Sequence, residues 1–153
     1  MQLTDHFSVA ELTRSTTATR LGLDNTPTPA ALASLRQTAQ MLERVRQHLG
    51  GVPIIVTSGY RSRPVNSAVG GATSSDHMQG QAADVLAPRY GTPYAIAKAL
   101  APHIDALGIG QIIYEVGANS RWVHLSTRVP SKQSNRVITI QVGKGTHLGV
   151  QQV

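Results

Sequence analysis

From Thr28 to Gly51 the chain carries one long amphipathic stripe, and whatever covers that stripe decides the rest of the fold. Leu32, Leu35, Ala39, Leu42, Val45 and Leu49 recur at helical spacing. Thr28 and Pro29 suit the cap and first turn of a helix, and Gly50-Gly51 suits its end. The face reads as core; a groove-filling helix for a partner is the sharper alternative. The segments beyond Gly51 are short and β-branched or alternating: Pro53–Thr57, Gln81–Ala87, Gln111–Val116, Arg121–Ser126 and Asn135–Val142. Helices precede strands, and Gly117-Ala118-Asn119-Ser120 closes a hairpin between the third and fourth of these. The expectation is α+β: residues 1–153 as a single compact domain, with N-terminal helices packed on a mainly antiparallel sheet.

Ahead of the stripe, Ser8 and Glu11 form a capping-box pattern for a short helix, Val9 to Thr13. Residues 16–27, rich in Thr, Gly, Asn and Pro, read as a loop. So does the long stretch from Ser58 to Gly80, and loops of that length in a compact domain are usually functional. Thr92-Pro93 starts another helix, which Pro102 breaks.

The bulk numbers exclude several classes. At 153 residues and 41% hydrophobic content the chain can bury a real core, and no apolar run approaches the roughly 20 residues of a membrane span. The first residues lack the basic-then-apolar pattern of a secretory signal, so the expectation is a protein made in the cytoplasm. With no cysteine, disulfides and thiolate metal sites are out. A net charge of +6 favours acidic partners: nucleic acid, anionic membrane surfaces, or a polymer such as bacterial cell wall. The Lys and Arg residues are scattered singly and aromatics are only 4%, so no nucleic acid is expected. A monomer without membrane insertion is expected.

The chemistry concentrates in three residues. His77 and Asp84 lie seven apart across Gly80 and a run of small residues, and His124 sits in the strand-like Trp122-Val123-His124. Two imidazoles and one carboxylate suit a single zinc ion that keeps one position open for water. The plainer alternative makes them a loop histidine, a turn acid and a sheet histidine. Hydrolysis also needs a base. Of eight acids, four lie in the N-terminal helical part and Asp84 is a ligand candidate, which leaves Asp76, Asp105 and Glu115. A hairpin closed by residues 117–120 would pair Val116 with Arg121, Glu115 with Trp122 and Ile113 with His124. Glu115 would then share a face with His124, offset by roughly 7–8 Å between α-carbons, whereas one residue of slip would send it to the other face. Glu115 is the preferred base and Asp76 the second. Arg61, where the strand ends and the long loop begins, could hold a substrate carboxylate or an oxyanion; a solvated loop arginine is the alternative. His6, His48, His103 and His147 read as ordinary.

Ser58-Gly59-Tyr60-Arg61-Ser62, Asn66 with Val69-Gly70-Gly71, Ser75-x-His77-x-x-Gly80-x-Ala82-x-Asp84 and Trp122-Val123-His124-Leu125-Ser126 together resemble the zinc D-alanyl-D-alanine carboxypeptidase family. That family has the Hedgehog/DD-peptidase fold and includes phage endolysins that cut peptidoglycan peptide stems. The resemblance runs from about Phe7 to Ser126, with the motifs in the family's order. It implies one Zn2+ per chain on His77, Asp84 and His124, and substrate contacts from Arg61 at the attacked carbonyl and Ser75 at a polar group nearby. It also implies a peptidoglycan peptide as substrate, reached after release by another protein or from a virion. Several relatives carry the catalytic acid three residues before the last histidine, where this chain has Arg121. That departure keeps open a non-catalytic wall-binding or virion structural module that retains the zinc site. Pro130 to Val153 lie outside the resemblance.

Overall fold

A computed structural model describes all residues 1–153. The expected long helix is α3, Pro29–His48. The Thr28 hydroxyl accepts from the Ala31 N–H, and Gly50 and Gly51 at φ 87° and 79° turn the chain away after the last turn. Its stripe is buried at Ala31, Leu35, Ala39, Met41, Leu42, Val45 and Leu49. Before it come α1, Val9–Thr13, with the full Ser8–Glu11 capping box, and α2, Thr16–Leu21. The second corrects the loop read over residues 16–27. Thr-rich sequence is a weak helix former, but Ser15 caps the Ala18 N–H and Gly22 closes the far end in the left-handed region.

After α3 the strands are β1, Ile55–Ser58; β2, Ala82–Leu86; β3, Gln111–Val116; β4, Arg121–Ser126; β5, Val137–Gln141; and β6, Gly145–Leu148. They form one sheet in the order β1-β2-β4-β3-β5-β6. All neighbours are antiparallel except β3 and β5, which run parallel. The alternation of β5 carries no sign of direction, and β6, Gly-rich and exposed throughout, has no strand pattern to read. The long loop 58–80 is also partly helical: α4, Arg63–Ala68, has Pro64 in its first turn, and Asp76–Gln79 makes a 3-10 turn. Helix α5, Pro93–Leu100, gives way at Pro102 to a 3-10 turn, as its proline implied.

The two faces of the sheet differ. Ala83, Val85, Ile112, Tyr114, Val116, Val123 and Leu125 point into one core cluster with Leu35, Leu42 and Val45 of α3 and Ile96 and Leu100 of α5. Truncating a wholly buried member such as Leu42 to alanine costs about 2–5 kcal/mol. The alternate residues, Asp84, Glu115, Trp122 and His124, emerge on the opposite face. No helix is long and apolar enough to cross a membrane.

Candidate metal centre

Strand pairing makes half of the site. Asp84 of β2 stands directly opposite His124 of β4, which places their side chains side by side on the sheet face away from the core. His124 Nδ1 lies 3.0 Å from Asp84 Oδ1. The hairpin has the register read from the sequence: Val116 pairs with Arg121, Glu115 with Trp122 and Ile113 with His124. Glu115 therefore shares the face of His124.

The other half is carried by the segment between β1 and β2. His77 sits in the 3-10 turn, where the Ser75 hydroxyl accepts from the His77 N–H at 3.2 Å and Gly80, at φ 72°, ends the turn. The Gly80 carbonyl accepts from Thr38 Oγ1 of α3 at 2.7 Å, and a β-carbon on Gly80 would collide with the Ala31 carbonyl oxygen. Only glycine lets the turn seat against the long helix. His77 Nδ1–H donates to the Gly59 carbonyl at 2.7 Å, which fixes the ring and leaves Nε2, 3.3 Å from Asp84 Oδ1, as the free nitrogen. The ligand atoms of His77, Asp84 and His124 all lie within 4.8 Å of one another. A buried acidic oxygen facing two imidazole nitrogens, one with its tautomer fixed from behind, is a donor set that fits one zinc ion with a position left open.

The electrostatics agree with a cation site. Burial alone would raise the Asp84 carboxyl, but hydrogen bonds from His124 and His77 and their charges hold it well below the usual carboxylate range. Burial alone would lower His124, but Asp84, through its hydrogen bond and charge, and then the charges of Glu115 and Asp76 raise it. Burial pushes Glu115 up, as does the Asp84 charge, against the pull of His124 and Arg61. Burial lowers Arg61, while Asp84 and Glu115 act to hold its proton.

A cleft of about 340 Å³ opens over these atoms, walled by Arg61, Ser75, Glu115 and Trp122 beside His77, Asp84 and His124. The Arg61 guanidinium donates to Ser75 Oγ at 3.3 Å. All six residues singled out from the sequence, His77, Asp84, His124, Glu115, Arg61 and Ser75, thus line one cavity. Asp76 does not. Its carboxylate is buried, accepting from Ser126 Oγ at 2.8 Å and Arg128 Nε at 2.6 Å, so it braces the turn behind His77 and is removed as second-choice base. Arg121 also stays out. An odd separation from His124 along β4 turns it to the other face, where it donates to the Tyr114 hydroxyl and the Val153 carbonyl. His6 pairs with Glu43, His48 packs against His103 and His147 is exposed, all outside the cleft.

One supporting residue carried no sequence signal. Asn25 Nδ2 donates to the carbonyls of Thr13 and Tyr60, and its Oδ1 accepts from the Ser62 N–H at 2.8 Å, which clamps the backbone on both sides of Arg61. It lies in the segment read as a loop, and nothing in its local sequence distinguishes it from a turn asparagine.

Comparison with known proteins agrees with this geometry. The zinc D-Ala-D-Ala carboxypeptidase of Streptomyces albus G is 39% identical over 107 residues, 69% of this chain. The aligned part covers 41% of that relative's length. The family model described as Peptidase M15 matches residues 5–126, a span that contains all six cleft residues. On that match, with the His-Asp-His cluster inside it, the chain belongs to the Peptidase M15 family.

Proposed function

We propose that this chain is a zinc peptidase that hydrolyses peptide bonds in the peptide stems of bacterial peptidoglycan. The observation that carries the reading is convergence: three side chains able to hold a metal ion, a carboxylate and a half-buried guanidinium share one cleft. His77, Asp84 and His124 hold the ion. When bound, zinc supplies Lewis acidity that polarises a carbonyl and makes water a nucleophile near neutral pH. Glu115, which shares the cleft face with His124, takes the proton of the attacking water and passes it to the departing amine as the C–N bond breaks. Arg61, oriented through Ser75 and by the Asn25 clamp, donates to the oxyanion that forms on the attacked carbonyl. Ser75 offers its hydroxyl to a polar group of the bound peptide, and Trp122 supplies an apolar wall.

The non-catalytic alternative rested on Arg121. Arg121 bonds Tyr114 away from the cleft while Glu115 lines it, which supports the enzyme reading with Glu115 in place of an acid at position 121. Action on the wall after release by another protein or from a virion, as an endolysin, rests on the family resemblance.

The test is incubation of the purified protein with peptidoglycan, with and without chelator, and mass spectrometry of the fragments. Chelator-sensitive cleavage is expected, and the masses identify the bond, separating carboxypeptidase from endopeptidase action. Intact stems in every condition would sink the enzyme reading. Cleavage unchanged in His77→Ala would sink the zinc assignment.

A further inference from the structure

A second cavity of about 290 Å³ adjoins the catalytic cleft, and Gly71 lines both. One wall is a single face of α4: Arg63, Asn66 and Ser67 stand at i, i+3 and i+4. Thr73 and Met78 close the other side. The residue that joins the two cavities cannot carry a side chain, because a β-carbon on Gly71 would overlap the Asn66 carboxamide. Its φ is not in the left-handed region, so close approach rather than backbone conformation demands the glycine. Asn66 is itself buried, tied by Nδ2 to the Ala72 carbonyl at 2.9 Å, while its Oδ1 finds no donor in the protein. Arg63 has no carboxylate partner anywhere in the fold, although Arg128 and Arg136 both do.

An unpaired guanidinium beside two hydroxyls, reached from the catalytic cleft over a bare glycine backbone, has the chemistry of an anion subsite on an extended chain. We propose that this cavity is a substrate subsite in which Arg63 binds a free carboxylate of the peptide, with Ser67 and Thr73 donating to the same group. The inference rests on the peptidase reading for its choice of ligand. It makes Arg63 a specificity residue: stems whose acidic residue keeps its carboxylate bind, and stems in which it is a carboxamide bind poorly. Met78 adds the apolar contact for the methylenes beside that group.

The experiment uses full-length, zinc-loaded protein carrying Glu115→Gln, which keeps the cleft while suppressing turnover. Calorimetric titration compares peptidoglycan stem peptides in free-carboxylate and amidated forms, at fixed ionic strength. The carboxylate form is expected to bind about tenfold more tightly, as a charge-assisted guanidinium contact in a cleft requires. Adding Arg63→Gln should bring the ratio to about one, and Arg63→Lys should keep most of it. Thermal unfolding of each variant, matched to the parent, shows that folding is intact. Equal binding of the two stems, or a preference that survives Arg63→Gln, overturns the subsite. Cleavage by the unsubstituted protein is assayed in parallel. A preference without cleavage keeps the subsite and removes the peptidase reading, and cleavage without a preference does the reverse.

Discussion

The two halves of the metal cleft are built differently. Asp84, His124 and Glu115 stand on paired strands, where backbone hydrogen bonds set their spacing and the two-residue period sets their direction. His77, Ser75 and Arg61 stand on the segment joining β1 to β2, held by scattered side-chain and turn contacts instead of a strand ladder: Gly59 carbonyl to His77, Ser75 to Arg61, Gly80 against α3, Asp76 to Ser126 and Arg128, Asn25 around Tyr60 and Ser62. A sheet position survives the loss of any one side chain. The joining segment depends on each clamp. Mutations on the strands should therefore remove chemistry and leave the fold, whereas mutations on the segment should alter both.

The largest effect is expected on the sheet half. Glu115→Gln keeps volume and hydrogen bonding but removes the carboxylate proposed as base, so kcat should fall by about 10²–10⁴ with zinc content unchanged by atomic absorption. Replacing His124 with alanine should abolish activity by a different route, through loss of the metal. If Glu115→Gln lost the metal too, the strand-borne residues would not be separable in function and the contrast would fail.

On the segment, Gly59→Ala is expected to be the most damaging change. The new β-carbon would overlap the Leu12 carbonyl oxygen, which accepts from the Tyr60 N–H at 2.7 Å. The backbone must shift just where the Gly59 carbonyl orients His77. Stability should drop by about 2–4 kcal/mol in urea unfolding, and zinc affinity should drop with it. Asn25→Ala removes three hydrogen bonds at a half-buried site and should cost about 1–3 kcal/mol. Its signature is a raised KM with a smaller change in kcat, because Arg61 loses its fixed backbone.

The same contrast governs what the sequence reveals. The hairpin pairing was legible because turn length and alternation leave little freedom, and correct register delivered Glu115 to the metal face. The Ser15 cap and Gly22 show that α2 had readable ends, hidden by threonines of low helix propensity. The contacts of Asn25, Asp76 and Arg128 were not legible, since they join segments distant in sequence through side chains. Nor was the parallel pairing of β5 with β3, because alternation specifies a face and not a direction.

A pH test probes the junction between the halves. His124 is raised in the metal-free protein, so its contribution to stability is complete below the unfolded value of about 6.5 and is lost as pH rises through the higher folded value. Zinc needs the neutral imidazole, and its stabilisation grows in the opposite direction. Melting of chelated protein should therefore weaken as pH rises through this range, while the zinc-induced gain in Tm increases. A zinc-induced gain independent of pH between about 6 and 8 would mean that His124 is not a ligand.

The smallest effect is expected at Arg121, which belongs to β4 but to its other face. The guanidinium is exposed and bonds Tyr114 Oη and the Val153 carbonyl, so Arg121→Ala should cost under about 1 kcal/mol and loosen the C-terminal segment. Zinc-dependent kcat/KM should stay within about twofold of the parent, because the cleft face of β4 is untouched. Arg121→Glu should likewise fail to rescue Glu115→Gln: a carboxylate at 121 would lie across the sheet from the water it must deprotonate. Rescue by that double variant, measured as restored chelator-sensitive cleavage, would show that β4 can shift register during turnover, and the rigidity assigned to the strand-borne half would have to be abandoned.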